Sequence, residues 1–207
     1  MKIFRKQGVG VLVAPNKCAS SYALHIIPKS FVTDKQTVKK FYSNETVYCL
    51  VRDPVEWYIS GWRYAASHFI QECLESNYQN NFDNHLELCL DLQNNYNGEQ
   101  PTQFDVHCWY DPITQGNRWG NGIDKIVQIE NQVEFNMLMR LFGAGDPIEK
   151  RNVYSKKMID SRRKGKSYFD KPKLSKRTIK LLKQICKWDK AAGYNLNQSI
   201  QNYINTV

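Results

Sequence analysis

Apolar residues along this chain fall into short blocks separated by turn formers. Residues 9–14 are an apolar run between Gly8 and Pro15, which reads as a buried strand. A helix starts near Ser20 and stops before Pro28. Residues 30–33 form a candidate second strand. Val47 to Val51, apolar and β-branched at both ends, form a third. Asp53-Pro54 follows at once and supplies an N-cap and a first-turn proline, so a helix begins there. This order predicts a parallel sheet with crossover helices.

Downstream, residues 65–93 keep helical spacing through Phe69, Cys73, Leu86 and Leu90. From Asn94 to Gly122 the composition shifts to Asn, Gly and Gln, with Trp109, Tyr110 and Trp119 interspersed. That stretch reads as a long polar loop inserted in a compact domain, the kind of segment that carries function. Its aromatic faces and amides suit a sugar-facing lid. Ile126 to Ile129 read as another strand, and Asn131 with Glu134 as a capping-box-like start of a helix ending at Gly143. A basic loop spans 156–173. A last helix runs from Ser175 to Gly193, with Ile179, Leu182 and Ile185 on one face. There is no internal repeat. The pattern predicts one α/β domain over residues 1–207, with the polar insertion at about 94–122.

Composition adds limits. With 207 residues, 42% hydrophobic and 13% aromatic, the chain has material for a real core and is not a disordered segment. No run of 18 apolar residues predicts a membrane-spanning helix, and the basic N-terminus precedes too short an apolar stretch for a signal peptide. Cysteines at 18, 49, 73, 89, 108 and 186 include no Cys-x-x-Cys pair. They read as buried free thiols in a reducing compartment, the cytoplasm, and argue against a metal site.

Charge changes the picture more. Residues 150–190 hold 16 Lys or Arg against 3 Asp or Glu, so they carry +13 and the remainder −4 of the chain's net +9. An anionic partner follows: donor phosphates, an anionic acceptor such as a polysaccharide, or nucleic acid. A solvated helix face is the plain alternative.

Two polar clusters sit where strands run into helices. In the first, Pro15-Asn-Lys17-Cys18-Ala19-Ser20-Ser21-Tyr22 places a lysine and two serines at a strand-to-helix turn, where backbone N–H groups attract anions. The plain alternative is an ordinary turn with a capping serine. The triphosphate loop Gly-x-x-x-x-Gly-Lys-Ser/Thr is absent. In the second, Arg52 ends a strand with a planar fork suited to phosphate, and Ser60 returns to the same helix face about two turns after Asp53. Two such clusters suit a ligand with two separate phosphates.

In this order the clusters resemble the sulfotransferases that use 3′-phosphoadenosine 5′-phosphosulfate (PAPS). Pro15, Lys17, Ser20 and Ser21 match the family's 5′-phosphosulfate loop, with Ala19 in place of its glycine. Alanine takes most of the same geometry unless φ is positive. Arg52, Asp53, Pro54, Glu56 and Ser60 are similar to the 3′-phosphate motif. Residues 123–130, ending in Glu130, and 174–194 resemble the later strand and closing helix of the Golgi carbohydrate branch. Arg163-Lys164-Gly165 is similar to the donor-binding loop of soluble sulfotransferases. The chain thus reads as a short, soluble relative without the branch's membrane anchor.

The resemblance implies a P-loop-like three-layer α/β fold, with a central parallel sheet flanked by helices. It implies PAPS as donor, no metal, and a saccharide or small-molecule hydroxyl as acceptor, with neither membrane nor nucleic acid as partner. Lys17 to Tyr22, Arg52, Ser60 and Arg163 to Gly165 would hold the donor. Lys17 would stabilise charge on the leaving phosphate. For the general base, His107 and Asp34 stand equal, with Glu56 and Glu130 in reserve. His68 and His85 read as surface residues. Two other readings remain: another phosphate-handling enzyme such as a nucleotide kinase, and a non-catalytic nucleic-acid-binding protein using residues 150–190.

Overall fold

The computed structural model describes residues 1–33, 45–68, 81–99, 102, 105–117, 122–145 and 171–207. The chain divides into two compact units: Met1–Arg52 with Pro112–Val153, and Asp53–Asp111 with Tyr154–Val207.

The first unit is α/β. Its open sheet has four strands in sequence order: β1 (Lys2–Lys6), β2 (Gly10–Ala14), β3 (Val47–Val51) and β4 (Lys125–Gln128). β1 pairs with β2 antiparallel, while β2–β3 and β3–β4 are parallel. Every residue of β2, and all of β3 except Tyr48, is buried. That double-sided burial is why both read as near-continuous apolar runs rather than alternating ones. Ile3, Val11, Val13 and Val47 pack together as one buried cluster of this sheet. Gly10 is required where β2 begins: φ is +135°, and a Cβ there would lie 2.3 Å from the Thr46 carbonyl oxygen. Around the sheet run α1 (Ser20–Ile26), a 3₁₀ turn (Lys29–Phe31) and, later in the chain, the helices at Pro112–Asn117 and Gln132–Leu141. This arrangement is compatible with a three-layer α/β fold.

The second unit is helical among its described residues: α2 (Pro54–His68), α3 (Phe82–Asn94), α4 (Asp105–Cys108), and further on α7 (Lys176–Ile185) and α8 (Leu196–Ile204). Between α4 and α7 in sequence, α5 (Pro112–Asn117) and α6 (Gln132–Leu141) belong to the first unit. Asp53 caps α2 as expected, accepting from Val55 N at 3.0 Å and Glu56 N at 3.2 Å. The core of this unit is aromatic. Trp57 meets Tyr58 edge-on at 4.9 Å and Trp188 at 6.0 Å, and Trp62 tilts on Phe82 at 5.4 Å. α3 and α7 run side by side in the same direction. Ser175 and Thr178, at the start of α7, donate to Asp83, at the start of α3. Near the other ends, Gln93 Nε2 donates to the Ile185 carbonyl at 3.4 Å.

Several expectations are corrected. The N-terminal residues form β1, an antiparallel strand not foreseen. Residues 30–33 are not a strand: the chain makes a 3₁₀ turn, and Val32 meets Phe4 in an isolated bridge rather than a strand pairing. The 94–122 insertion is not one long loop, since it contains α4 and α5. Trp109 and Tyr110 are buried, packed edge-on against each other at 5.4 Å, so these two rings are core rather than lid. The last predicted helix stops at Ile185, and α8 follows it. His85 is not a surface residue but 2% exposed.

Burial drives the His85 pKa down from 6.5 to about 3. The imidazole stacks on Phe82 at 6.4 Å and has Cys89 Sγ 3.5 Å from Nε2. A lowered histidine pKa gives stability that is whole above the unfolded pKa near 6.5 and is lost as pH falls towards 3. Well inside that window the loss approaches about 1.4 kcal/mol per pH unit. Thermal melts from pH 7 to pH 5 should therefore show a falling Tm, and His85→Leu should flatten the slope. An unchanged slope in the variant would assign the titration to another group.

Candidate functional site

The turn between β2 and α1 has an unusual backbone. Cys18 N donates to the Pro15 carbonyl at 3.1 Å, closing a β-turn in which Lys17, the third residue, has φ +67°. Positive φ at that position is the type II signature, normally met by Gly or Asn. Ala19 follows at φ +57°, ψ +19°, left-handed, as the N-cap of α1. No other non-glycine among the described residues has positive φ. φ therefore alternates in sign from Lys17 to Ser20. Successive N–H groups in such turns form concave anion-binding nests. Each left-handed non-glycine residue costs about 1–2 kcal/mol, and strain of this kind gathers at ligand clamps.

This corrects the expectation for Ala19. Alanine in place of glycine is not a small departure at this position, because φ is positive. Ala19 makes no side-chain cap to α1.

The turn is anchored from below. Cys18 is fully buried, and Asn16 N donates to the buried Gln115 Oε1 at 3.0 Å. Gln115 lies on α5, which sits against β3. A Cβ on Gly116 would come 2.9 Å from Cys49 Sγ and 2.7 Å from Ile123 Cδ1, so a larger residue would make these side chains shift. Tyr22 packs its ring on Phe135 at 6.0 Å, joining α1 to α6. Tyr22 is buried, Lys17, Ala19 and Ser20 are half-buried, and Ser21 is exposed.

The sheet brings the second cluster to the same edge. Val13 is level with Cys49 in the parallel β2–β3 ladder, so Asn16 and Arg52 leave the sheet at equal height. Val51 pairs with Gln128, which carries Ile129 and Glu130 past the end of β4 on the same side. Carboxyl ends of parallel strands are where open α/β sheets bind ligands. Electrostatics agrees with this placement. Burial, then Cys49, pushes the Cys18 thiol well up; Arg52 acts in the opposite direction and Glu130 raises it further. Arg52 and Glu130 thus act on the interior of the turn, and Cys18 is no nucleophile.

Lys17 to Tyr22 and Arg52 are accordingly assembled within one unit. Ser60 lies half-buried on α2, in the second unit with Asp53 and Glu56. His107 is the third residue of α4, also in that unit. Asp34, Arg163, Lys164 and Gly165 lie outside the described residues. Gln115 was missed by the sequence reading. Its only signal was a position in a polar stretch, and its partner stands 99 residues away. Comparison with family models, with curated proteins and with solved structures gives no significant match.

Ala19→Gly should stabilise the protein by about 1 kcal/mol, read from urea midpoints at constant m. Destabilisation by the same substitution would contradict a left-handed residue at this position.

Proposed function

We propose that this protein transfers a sulfuryl group from PAPS to a hydroxyl of a saccharide or small molecule, within a P-loop-like three-layer fold. The observation that supports this best is the strained Pro15–Ser21 turn at the end of β2, with Arg52 ending the adjacent parallel strand. The turn offers backbone N–H groups, two hydroxyls and an ammonium to one phosphate group. Arg52 offers a fork to another. In this reading Lys17, Ser20 and Ser21 hold the 5′-phosphosulfate, while Arg52 and Ser60 hold the 3′-phosphate, with Arg163 to Gly165 as further donor contacts.

In the reaction the acceptor oxygen forms a bond to sulfur as the bond from sulfur to the donor's phosphate oxygen breaks. Negative charge grows on that leaving phosphate, where Lys17 counters it. The acceptor's proton passes to a general base, for which His107 and Asp34 remain the two candidates. No metal is required by this scheme.

The desulfated product, 3′-phosphoadenosine 5′-phosphate (PAP), isolates the two-phosphate idea from the chemistry. PAP should bind at least about ten-fold more tightly than AMP, because a charge-assisted bond contributes roughly 1.5–3 kcal/mol. Arg52→Ala should erase most of that preference in calorimetric titrations. Equal affinity of the wild type for the two nucleotides would remove the reading.

The chemistry is tested with labelled PAPS and a panel of saccharides. Lys17→Ala should lower kcat as well as raise KM, since its charge matters most in the transition state. One of His107→Ala and Asp34→Asn, not both, should abolish turnover while leaving PAP affinity unchanged. A histidine base would make activity fall below about pH 6.5, and an aspartate base would hold it to about pH 4–5. Full kcat in both variants would move the base elsewhere and leave the donor site standing.

A further inference from the structure

We infer that the exposed face of α7 docks this protein on an anionic lipid bilayer. The helix buries Thr178, Leu181, Leu182 and Ile185. What it leaves outside is mostly lysine. Lys176, Lys180 and Lys183 are exposed and stand at i, i+4 and i+7. That spacing sets them on one stripe about 60° wide and about 10 Å long. Lys173 is exposed before the helix and Lys187 and Lys190 beyond it. Among the described residues no carboxylate is in ion-pair range of Lys176, Lys180 or Lys183. Arg177, on the flank of the stripe, is instead held by Glu87.

The residue types select the partner. Single-stranded nucleic acid is held by aromatic platforms and arginine planes, and the stripe has neither. Sugars are met by aromatic faces and directed hydrogen bonds, and lysine ammoniums supply only undirected charge. A leaflet rich in anionic headgroups asks for nothing more than clustered basic charge on a helix. A convex helix also touches a plane along one line, which is the shape of this stripe. Leu181, Leu182 and Ile185 are turned inward and Ile179 is half-buried, so the helix offers no apolar face to insert between the lipids. The contact is therefore reversible and governed by salt.

This surface is independent of the proposed donor site, and its test needs no catalytic activity. The full chain is sedimented with vesicles of phosphatidylcholine alone, or with about one-third phosphatidylserine, in about 0.1 M salt. Each lysine near such a surface strengthens binding about five-fold. The wild type should pellet with the anionic vesicles only, and about 0.5 M salt should release it. Lys176→Gln/Lys180→Gln/Lys183→Gln should bind about 100-fold more weakly. Lys2→Gln/Lys29→Gln/Lys125→Gln removes the same charge from exposed positions of the first unit and should stay within about five-fold of the wild type. Circular dichroism confirms that both variants fold. Absence of binding to anionic vesicles, or equal loss in the two variants, overturns the proposal. So does tighter, stripe-dependent binding of a sulfated polysaccharide or RNA at the same salt, which would make the face a groove-free polyanion site instead.

Discussion

The organisation of the first unit rests on one constraint: β2 and the body of β3 are buried on both faces. A strand in that position must satisfy its backbone within the sheet and can carry no polar side chain along its length. Polar chemistry can enter only where the strand ends. Because β2 and β3 are parallel and in register, their ends fall on one edge, and Pro15 and Arg52 are the first residues released there. β4 continues the same logic and delivers Glu130 beside them. The candidate site is thus a consequence of the core rather than an addition to it.

That edge is held stiffly. Lys17 and Ala19 take left-handed conformations that the free chain would avoid, and such strain persists only where the surroundings over-determine it. Here the surroundings are identifiable. Cys18 is plugged into the core between the two strained residues, Gln115 fixes Asn16 at the entry, and Tyr22 pins the following helix to Phe135. Inward and outward roles alternate along the turn. Cys18 holds it down, and Lys17 and Ala19 on either side stay half-buried at the surface.

Much of this was legible because its signals are local. β2 and β3 announce themselves as apolar runs, and Asp53-Pro54, Asn131 with Glu134, and Ser175 each mark a helix start that the structure contains. Lys17 and Arg52 stand out in the sequence for the same reason, as polar residues at the ends of such runs. What escaped is set by distant partners. β1 is a strand because it pairs with β2, and its own five residues mix Lys and Arg with Ile and Phe. Trp109, Tyr110 and His85 read as surface residues by their neighbours in sequence, yet they lie in the core. The left-handed state of Ala19 could not be foreseen from a residue type that disfavours it, and Gln115 declares its role only through Asn16.

The net charge of +9 conceals two different settings of charge. Arg52 is half-buried at the end of a strand, so its position is set by the sheet and its interactions are only partly screened by salt. Fixed charge of that kind can recognise a particular phosphate, because the geometry is prepared before the ligand arrives. The α7 lysines are exposed on flexible stems, and among the described residues no carboxylate fixes their ammoniums. Charge of that kind cannot select an atom, but it creates a field over a surface. The first depends on the packing beneath it and would be lost with the fold of its turn. The second depends only on the helical spacing of three residues, and it survives any substitution that keeps the helix and the charge.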